Sequence, residues 1–91
     1  MNQTVGLLEV TGWIAGLEAV DAMLKSSAVE LYGTTENNGR LLIVITGTST
    51  VVSATLEIGS RCAEHFGSVV AKRVIVQPHE QTVVVLNRLL S

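Results

Sequence analysis

Apolar positions change their period several times along the chain, and each change marks an element. Val5–Val10 is a short run rich in β-branched and aliphatic residues and reads as a strand. Thr11-Gly12 breaks it, and Thr11 can cap the next element by accepting a backbone N–H. Trp13–Ser26 follows a 3.6-residue period. Trp13, Leu17, Val20 and Leu24 fall on one stripe, flanked by Gly16 and Met23, while Glu18, Asp21 and Lys25 lie on another side. Ala15, Ala19 and Ala22 form a second stripe of small side chains. Such a stripe either lets another element approach closely or faces solvent and serves helix propensity.

Val29–Glu36 and Arg40–Thr46 read as a β-hairpin around Asn38-Gly39, because Asn and Gly both tolerate positive φ. Leu41–Ile45 is apolar without alternation, the mark of a strand covered on both faces. Thr48 or Ser49 can cap a second helix running to about Phe66. Val51, Thr55, Ile58, Cys62 and Phe66 share one face of it, with Ser53, Glu57, Ser60 and Glu64 opposite. Gly67 is placed to end it at C′. Val69–Val76 reads as a fourth strand, stopped by Pro78. The tail from Glu80 to Ser91 carries Val83–Leu86, Leu89 and Leu90. It is too short for a stable isolated helix, so those residues need a partner surface. The order β-α-β-β-α-β plus a tail is the split βαβ, ferredoxin-like arrangement: an α+β fold with a four-stranded antiparallel sheet and two main helices on one face. One domain is expected over residues 1–91, its core at about 4–80 and the tail at 80–91.

Composition narrows the function. Only 15% of residues are charged, although the apolar share of 47% is ordinary. A small monomer needs a well-charged surface to stay soluble, so much of this surface is expected to be covered by other subunits. A net charge of −2 and three aromatic residues argue against a nucleic-acid partner. A single cysteine makes no internal disulfide, which suits a reducing cytosol. The start Met-Asn-Gln-Thr lacks the pattern of a signal peptide, and the run Leu41–Ile45 is far too short to span a lipid membrane.

Catalytic chemistry finds little support. Cys62 falls mid-helix on the apolar face, where a thiol packs. Cys62 and His65 together are too few for a metal site. Nothing positions His79 against a second catalytic group. The acids Glu9, Glu18, Asp21, Glu30, Glu57 and Glu64 show no paired arrangement for acid–base work. Gly12-x-x-x-Gly16 lacks the Lys-Ser/Thr of a phosphate loop and the spacing of a dinucleotide fingerprint. No enzymatic activity and no cofactor are expected.

Four blocks carry a family resemblance. Val5-Gly-Leu-Leu-Glu-Val-Thr-Gly12 resembles the opening strand of single-domain, hexameric shell proteins of bacterial microcompartments, usually of the form Gly-x-Val/Ile-Glu-Thr-x-Gly. Glu18-Ala-Val-Asp-Ala-Met-Leu-Lys25 is similar to that family's first helix, Val29-Glu-Leu-Tyr-Gly33 to its second strand, and Val74-Ile-Val-Gln-Pro-His79 to its closing segment. The resemblance implies cyclic homohexamers that tile, with other microcompartment shell proteins, into the shell of a polyhedral compartment in the bacterial cytoplasm. Encapsulated enzymes are a further class of partner that it implies. It also implies that Glu36, Asn37, Asn38, Gly39 and Arg40 line a small pore for metabolites on the six-fold axis. Glu36 and Arg40 would add opposite charges there or pair with each other. The family members that bind an iron–sulfur cluster carry a cysteine in this loop. None stands here, so no cluster is expected.

Lys25 and His79 match positions at the hexamer edge, as do Ala28 and Gln77. Gln77 stands where arginine is common and Ala28 where asparagine is common, and both departures remove hydrogen-bonding capacity. The other reading of the scaffold is a small-molecule-sensing regulatory module, which pairs as a dimer around an effector.

Overall fold

The computed structural model describes residues 1–26 and 28–91. Four strands and three helices alternate along the chain: β1 (Thr4–Thr11), α1 (Trp13–Ser26), β2 (Glu30–Asn37), β3 (Arg40–Gly47), α2 (Ser49–Glu64), β4 (Ser68–Ile75) and α3 (Glu80–Leu90). The strands form one antiparallel sheet in the order β2-β3-β1-β4, the ferredoxin-like order expected from the pattern. Each predicted element is present, with ends within two residues of those expected.

Strand alternation divides the apolar residues between two cores. Leu8 and Val10 of β1 and Leu41, Ile43 and Ile45 of β3 point to α1 and α2. There they meet Ala15, Ala19, Met23, Val52, Leu56 and Ala63. Val5 and Val44 point to the other face and meet Leu86 of α3, with Leu7, Tyr32, Leu42 and Leu90 around them. The unalternating strand β3 is therefore covered on both sides, as its composition requires. The tail is a helix, and the partner surface it needs is the far face of this same sheet. A register shift in β2 between Leu31 and Gly33 leaves Tyr32 as the extra residue. Its hydroxyl donates to Asn87 Oδ1 at 2.6 Å and ties α3 down.

The faces that α1 and α2 bury differ from the ones their large side chains mark. In α1 the buried residues are Ala15, Gly16, Ala19 and Met23, while Trp13 and Leu17 are 56% and 62% exposed. The small stripe is the one that lets α1 approach the sheet and α2. A Cβ on Gly16 would overlap the Leu41 side chain. In α2 the buried set is Val52, Thr55, Leu56, Gly59, Ser60 and Ala63, about one residue's rotation from the expected face, which leaves Ile58 and Phe66 exposed. Ser60 is tolerated inside because its hydroxyl donates to the Glu57 carbonyl. Cys62 is half-buried, with its thiol 3.5 Å from the Glu18 carbonyl oxygen.

Three expected helix-end roles are filled differently. The Thr11 hydroxyl does not cap α1; it accepts from Ser68 N at 3.1 Å, binding β4 to β1. Thr48 is the N-cap of α2, but its side chain makes no capping bond. Gly67 is not a left-handed C′ residue. It follows a turn at His65 and Phe66, and it is glycine because a Cβ there would strike the Thr11 carbonyl oxygen and the Ala15 side chain. One ion pair joins α2 to β4, Lys72 with Glu57. That hydrogen bond and charge hold the Glu57 carboxyl below the usual glutamate value. A lowered carboxylate stabilises the fold above its ordinary titration range, and the effect fades as pH falls through the lowered value.

Close packing gives a test. At Gly59 an added Cβ meets the side chain of Met23, with Sδ at 2.5 Å and Cγ at 2.7 Å, whereas at Gly67 it meets backbone, the Thr11 carbonyl oxygen, closer still. Gly67→Ala is expected to lower stability by about 1–3 kcal/mol. Gly59→Ala should stay within about 1 kcal/mol of the parent, because better helix propensity offsets the Met23 adjustment. Urea unfolding midpoints of the two variants decide the ranking.

Candidate functional site

The hairpin turn between β2 and β3 is built from a two-residue loop. Asn38 and Gly39 have φ of 54° and 81°, the doubly left-handed geometry that matches the twist of the flanking strands. Asn37 and Arg40 form the last pair of the ladder below it. Two hydrogen bonds hold the turn. Gly39 N–H donates to Glu36 Oε2 at 2.8 Å, and the Gly39 carbonyl accepts from Gly12 N–H at 2.8 Å. The first locks the turn on its own strand; the second fastens it to the junction between β1 and α1.

All five residues from Glu36 to Arg40 are exposed. The pairing of Glu36 with Arg40 does not form, because the Glu36 carboxylate turns back onto the backbone of the turn. Among the described residues the ion pairs are Lys25–Asp21 and Lys72–Glu57. The turn therefore presents the neutral amides of Asn37 and Asn38 beside a guanidinium without a carboxylate partner. The role of Glu36 had a sequence signal: an acid three residues before the glycine of an Asn-Gly turn.

The four edge candidates lie at the other end of the subunit. Ala28 and Gln77 line one hollow of about 450 Å³ with Thr4, Gly47 and Val76. Thr4 pairs with Gly47 at one end of β1, and Thr11 pairs with Arg40 at its other end, roughly 23 Å away at strand rise. Lys25 is in the last turn of α1, about 18 Å along the helix from Trp13, which follows the turn-anchoring Gly12. Its ammonium bonds the Asp21 carboxylate at 2.8 Å, and that hydrogen bond and charge raise its pKa above the usual lysine value. His79 is the N-cap of α3, its Nδ1 accepting from Gln81 N–H at 3.0 Å. The structure thus gathers Ala28 and Gln77, and it separates the edge group from the turn by the length of the sheet.

Among the described residues no three or more His, Cys, Asp or Glu side chains gather to hold a metal, and no helix is long and apolar enough to cross a membrane.

The family model described as the BMC domain matches residues 4–78, most of the chain. The chain belongs to the BMC domain family. The bacterial microcompartment shell protein EutK of Salmonella typhimurium (strain LT2) is 39% identical over 83 residues, covering 90% of this chain and 51% of EutK. The shell protein PduA of Citrobacter freundii is 32% identical over 91 residues, covering 99% of this chain and 98% of PduA. A crystal structure of a microcompartment protein from Desulfitobacterium hafniense DCB superposes with a TM-score of 0.81 at 27% identity, over all of this chain and 50% of that one. The chain spans about half the length of the EutK and PduK relatives it matches and nearly all of PduA.

In this BMC domain the turn geometry depends on glycine at position 39. Gly39→Ala is expected to cost about 1–2 kcal/mol, the penalty of a side chain in left-handed backbone. Glu36→Ala should cost about 1 kcal/mol by leaving the Gly39 N–H without its carboxylate. Chemical denaturation of both variants checks the pair, with Asn37→Ala as the neutral reference.

Proposed function

We propose that this BMC domain is a structural shell subunit of a bacterial microcompartment, without catalytic chemistry of its own. It would assemble as a cyclic homohexamer and tile with other shell proteins into a compartment wall in the cytoplasm. The observation that carries this reading is the family match, joined to near end-to-end alignment with PduA, whose name describes a microcompartment shell protein. Two structural features support it. Trp13, Ile14 and Leu17 put a large apolar surface on the outside of α1, in a chain with only 15% charged residues. The turn and the edge candidates lie at opposite ends of the subunit, as a radial placement between an axis and a rim requires.

In that assembly Glu36, Asn37, Asn38, Gly39 and Arg40 line a pore on the six-fold axis. Six copies of each group act as rings, and the pore passes small polar metabolites past neutral amides and guanidinium groups. Lys25, Ala28, Gln77 and His79 form the rim that meets the next hexamer. Ala28 and Gln77 contribute short or neutral side chains there, so tiling of this subunit alone is weak and other shell proteins supply the missing hydrogen bonds. The compartment's enzymes face the inner side of the wall.

Native mass measurement with electron micrographs of the same sample tests the reading. Rings of about 58 kDa, six copies of the 9.7 kDa chain, are expected. A stable dimer of about 19 kDa with no larger assembly would sink it and favour an effector-binding module. The double variant Ala28→Asn/Gln77→Arg should turn discrete rings into extended hexagonal sheets in the same micrographs.

A further inference from the structure

We infer that the N-terminus of α2, together with Thr4 of β1, forms a binding site for a small oxyanion of the phosphate class. The donors come from one subunit, and the hollow they share also holds Ala28 and Gln77 of the proposed rim, so the site stands open on subunits that are not tiled edge to edge.

The helix supplies donors that no side chain among the described residues caps. An α-helix leaves its first N–H groups without intrahelical acceptors, and its aligned peptides place about half a positive charge at that end. In α2, a 16-residue helix, the usual remedies are both missing. Thr48 occupies the N-cap with extended backbone, φ −73° and ψ 155°, yet its hydroxyl makes no capping bond, and the first turn holds no acidic residue. The N–H groups of Ser49, Thr50 and Val51 therefore have no capping side-chain oxygen among the described residues.

The second observation comes from a different element. Thr4 is 4% exposed, and its hydroxyl has no hydrogen-bond partner among the described residues. Among the described residues no fully enclosed side-chain polar atom lacks a partner, so this hydroxyl keeps an opening. The space Thr4 lines is the hollow of about 450 Å³ at the start of α2, shared with Asn2, Gln3, Thr48, Ser49 and Gln77. Strand alternation aims Thr4 to the α2 side, the same side as Gly6, whose added Cβ would lie 2.7 Å from Val52 in the first turn of α2. The Thr4 hydroxyl, the start of α2 at Thr48 and Ser49, and the side-chain amides of Asn2, Gln3 and Gln77 thus share one hollow, with no carboxylate among the described residues of its lining. That chemistry fits an anion with several acceptor oxygens and repels no charge on entry. No lysine or arginine lines the hollow among the described residues, so binding is of millimolar strength.

The test uses inorganic phosphate as the probe. Amide spectra of the perdeuterated chain are followed as phosphate replaces chloride at constant ionic strength. Saturable shifts confined to Ser49, Thr50, Val51 and Thr4 are expected. Thr48→Asp places a carboxylate on the same donors. It should raise the thermal midpoint by capping α2 and weaken phosphate binding about tenfold or more. Thr4→Val keeps shape but removes the hydroxyl, and should weaken binding about fivefold with the fold intact. Shifts that are linear, scattered over the surface, or unchanged in Thr48→Asp would overturn the site. A folded Thr4→Val with unaltered affinity would remove Thr4 from it and overturn the proposal as stated.

Discussion

The close approach of two helices to one sheet organises this subunit. Ala15, Gly16 and Ala19 of α1, with Gly59 and Ala63 of α2, are small where the helices meet the sheet and each other. Close-packed interiors tolerate few voids, so small residues on one side draw large ones from the other. Leu41 fills the space over Gly16, and Met23 fills the space beside Gly59. The core is built mainly from β-strand side chains, with Met23, Val52 and Leu56 as the large helix residues that enter it. Trp13, Ile14, Leu17 and Phe66 are consequently displaced outward. A face that would normally be charged becomes apolar, and in the proposed ring a subunit of this size would gain from burying it against copies of itself.

The same constraint explains what was legible in the sequence. Element order, the Asn-Gly hairpin and the double-sided burial of β3 depend on local period and turn chemistry, and they stand in the structure as read. The buried faces of α1 and α2 do not follow from hydrophobicity alone. A helix with apolar residues on two sides offers two candidate core faces, and only the spacing demanded by the sheet chooses between them. Ser60 and Thr55 are buried because each hydroxyl returns a bond to its own helix, at Glu57 and Val51, which a polar-versus-apolar count misses. Thr11 and Gly67 were ambiguous for a related reason. Both suit helix ends, yet both serve the seam between β1 and β4, formed by residues 57 positions apart. The turn was legible as a turn and as a candidate pore lining, but the fastening of Gly39 to Gly12 across the subunit was not.

That fastening links packing to the proposed pore. A two-residue hairpin tip projects from its sheet and is usually mobile. Here the Gly39 carbonyl is bonded to the backbone from which α1 departs, and α1 is seated on the sheet by its small stripe. The position of the turn is thereby set by the helix with the apolar outer face. In a ring, neighbours pressing on that face would bear on the element that positions the turn. Pore geometry and subunit contact then share one support, and a substitution in the outer face of α1 would act on both.

The far face of the sheet follows a different logic. α3 is held by Leu86, Leu90 and the Tyr32–Asn87 bond, and it covers only the part of the sheet around Val5 and Val44. Its outer side remains apolar at Val84, Val85 and Leu89. A short helix with few anchors separates more easily than α1 or α2, because local opening costs less where fewer apolar contacts are lost. The subunit therefore combines a rigid helix-covered face, which sets the turn and the ends of the sheet, with a lightly fastened face. Rigidity is concentrated where the proposed six-fold geometry would demand reproducible placement, and the lighter fastening falls on an element that makes none of the turn's own hydrogen bonds.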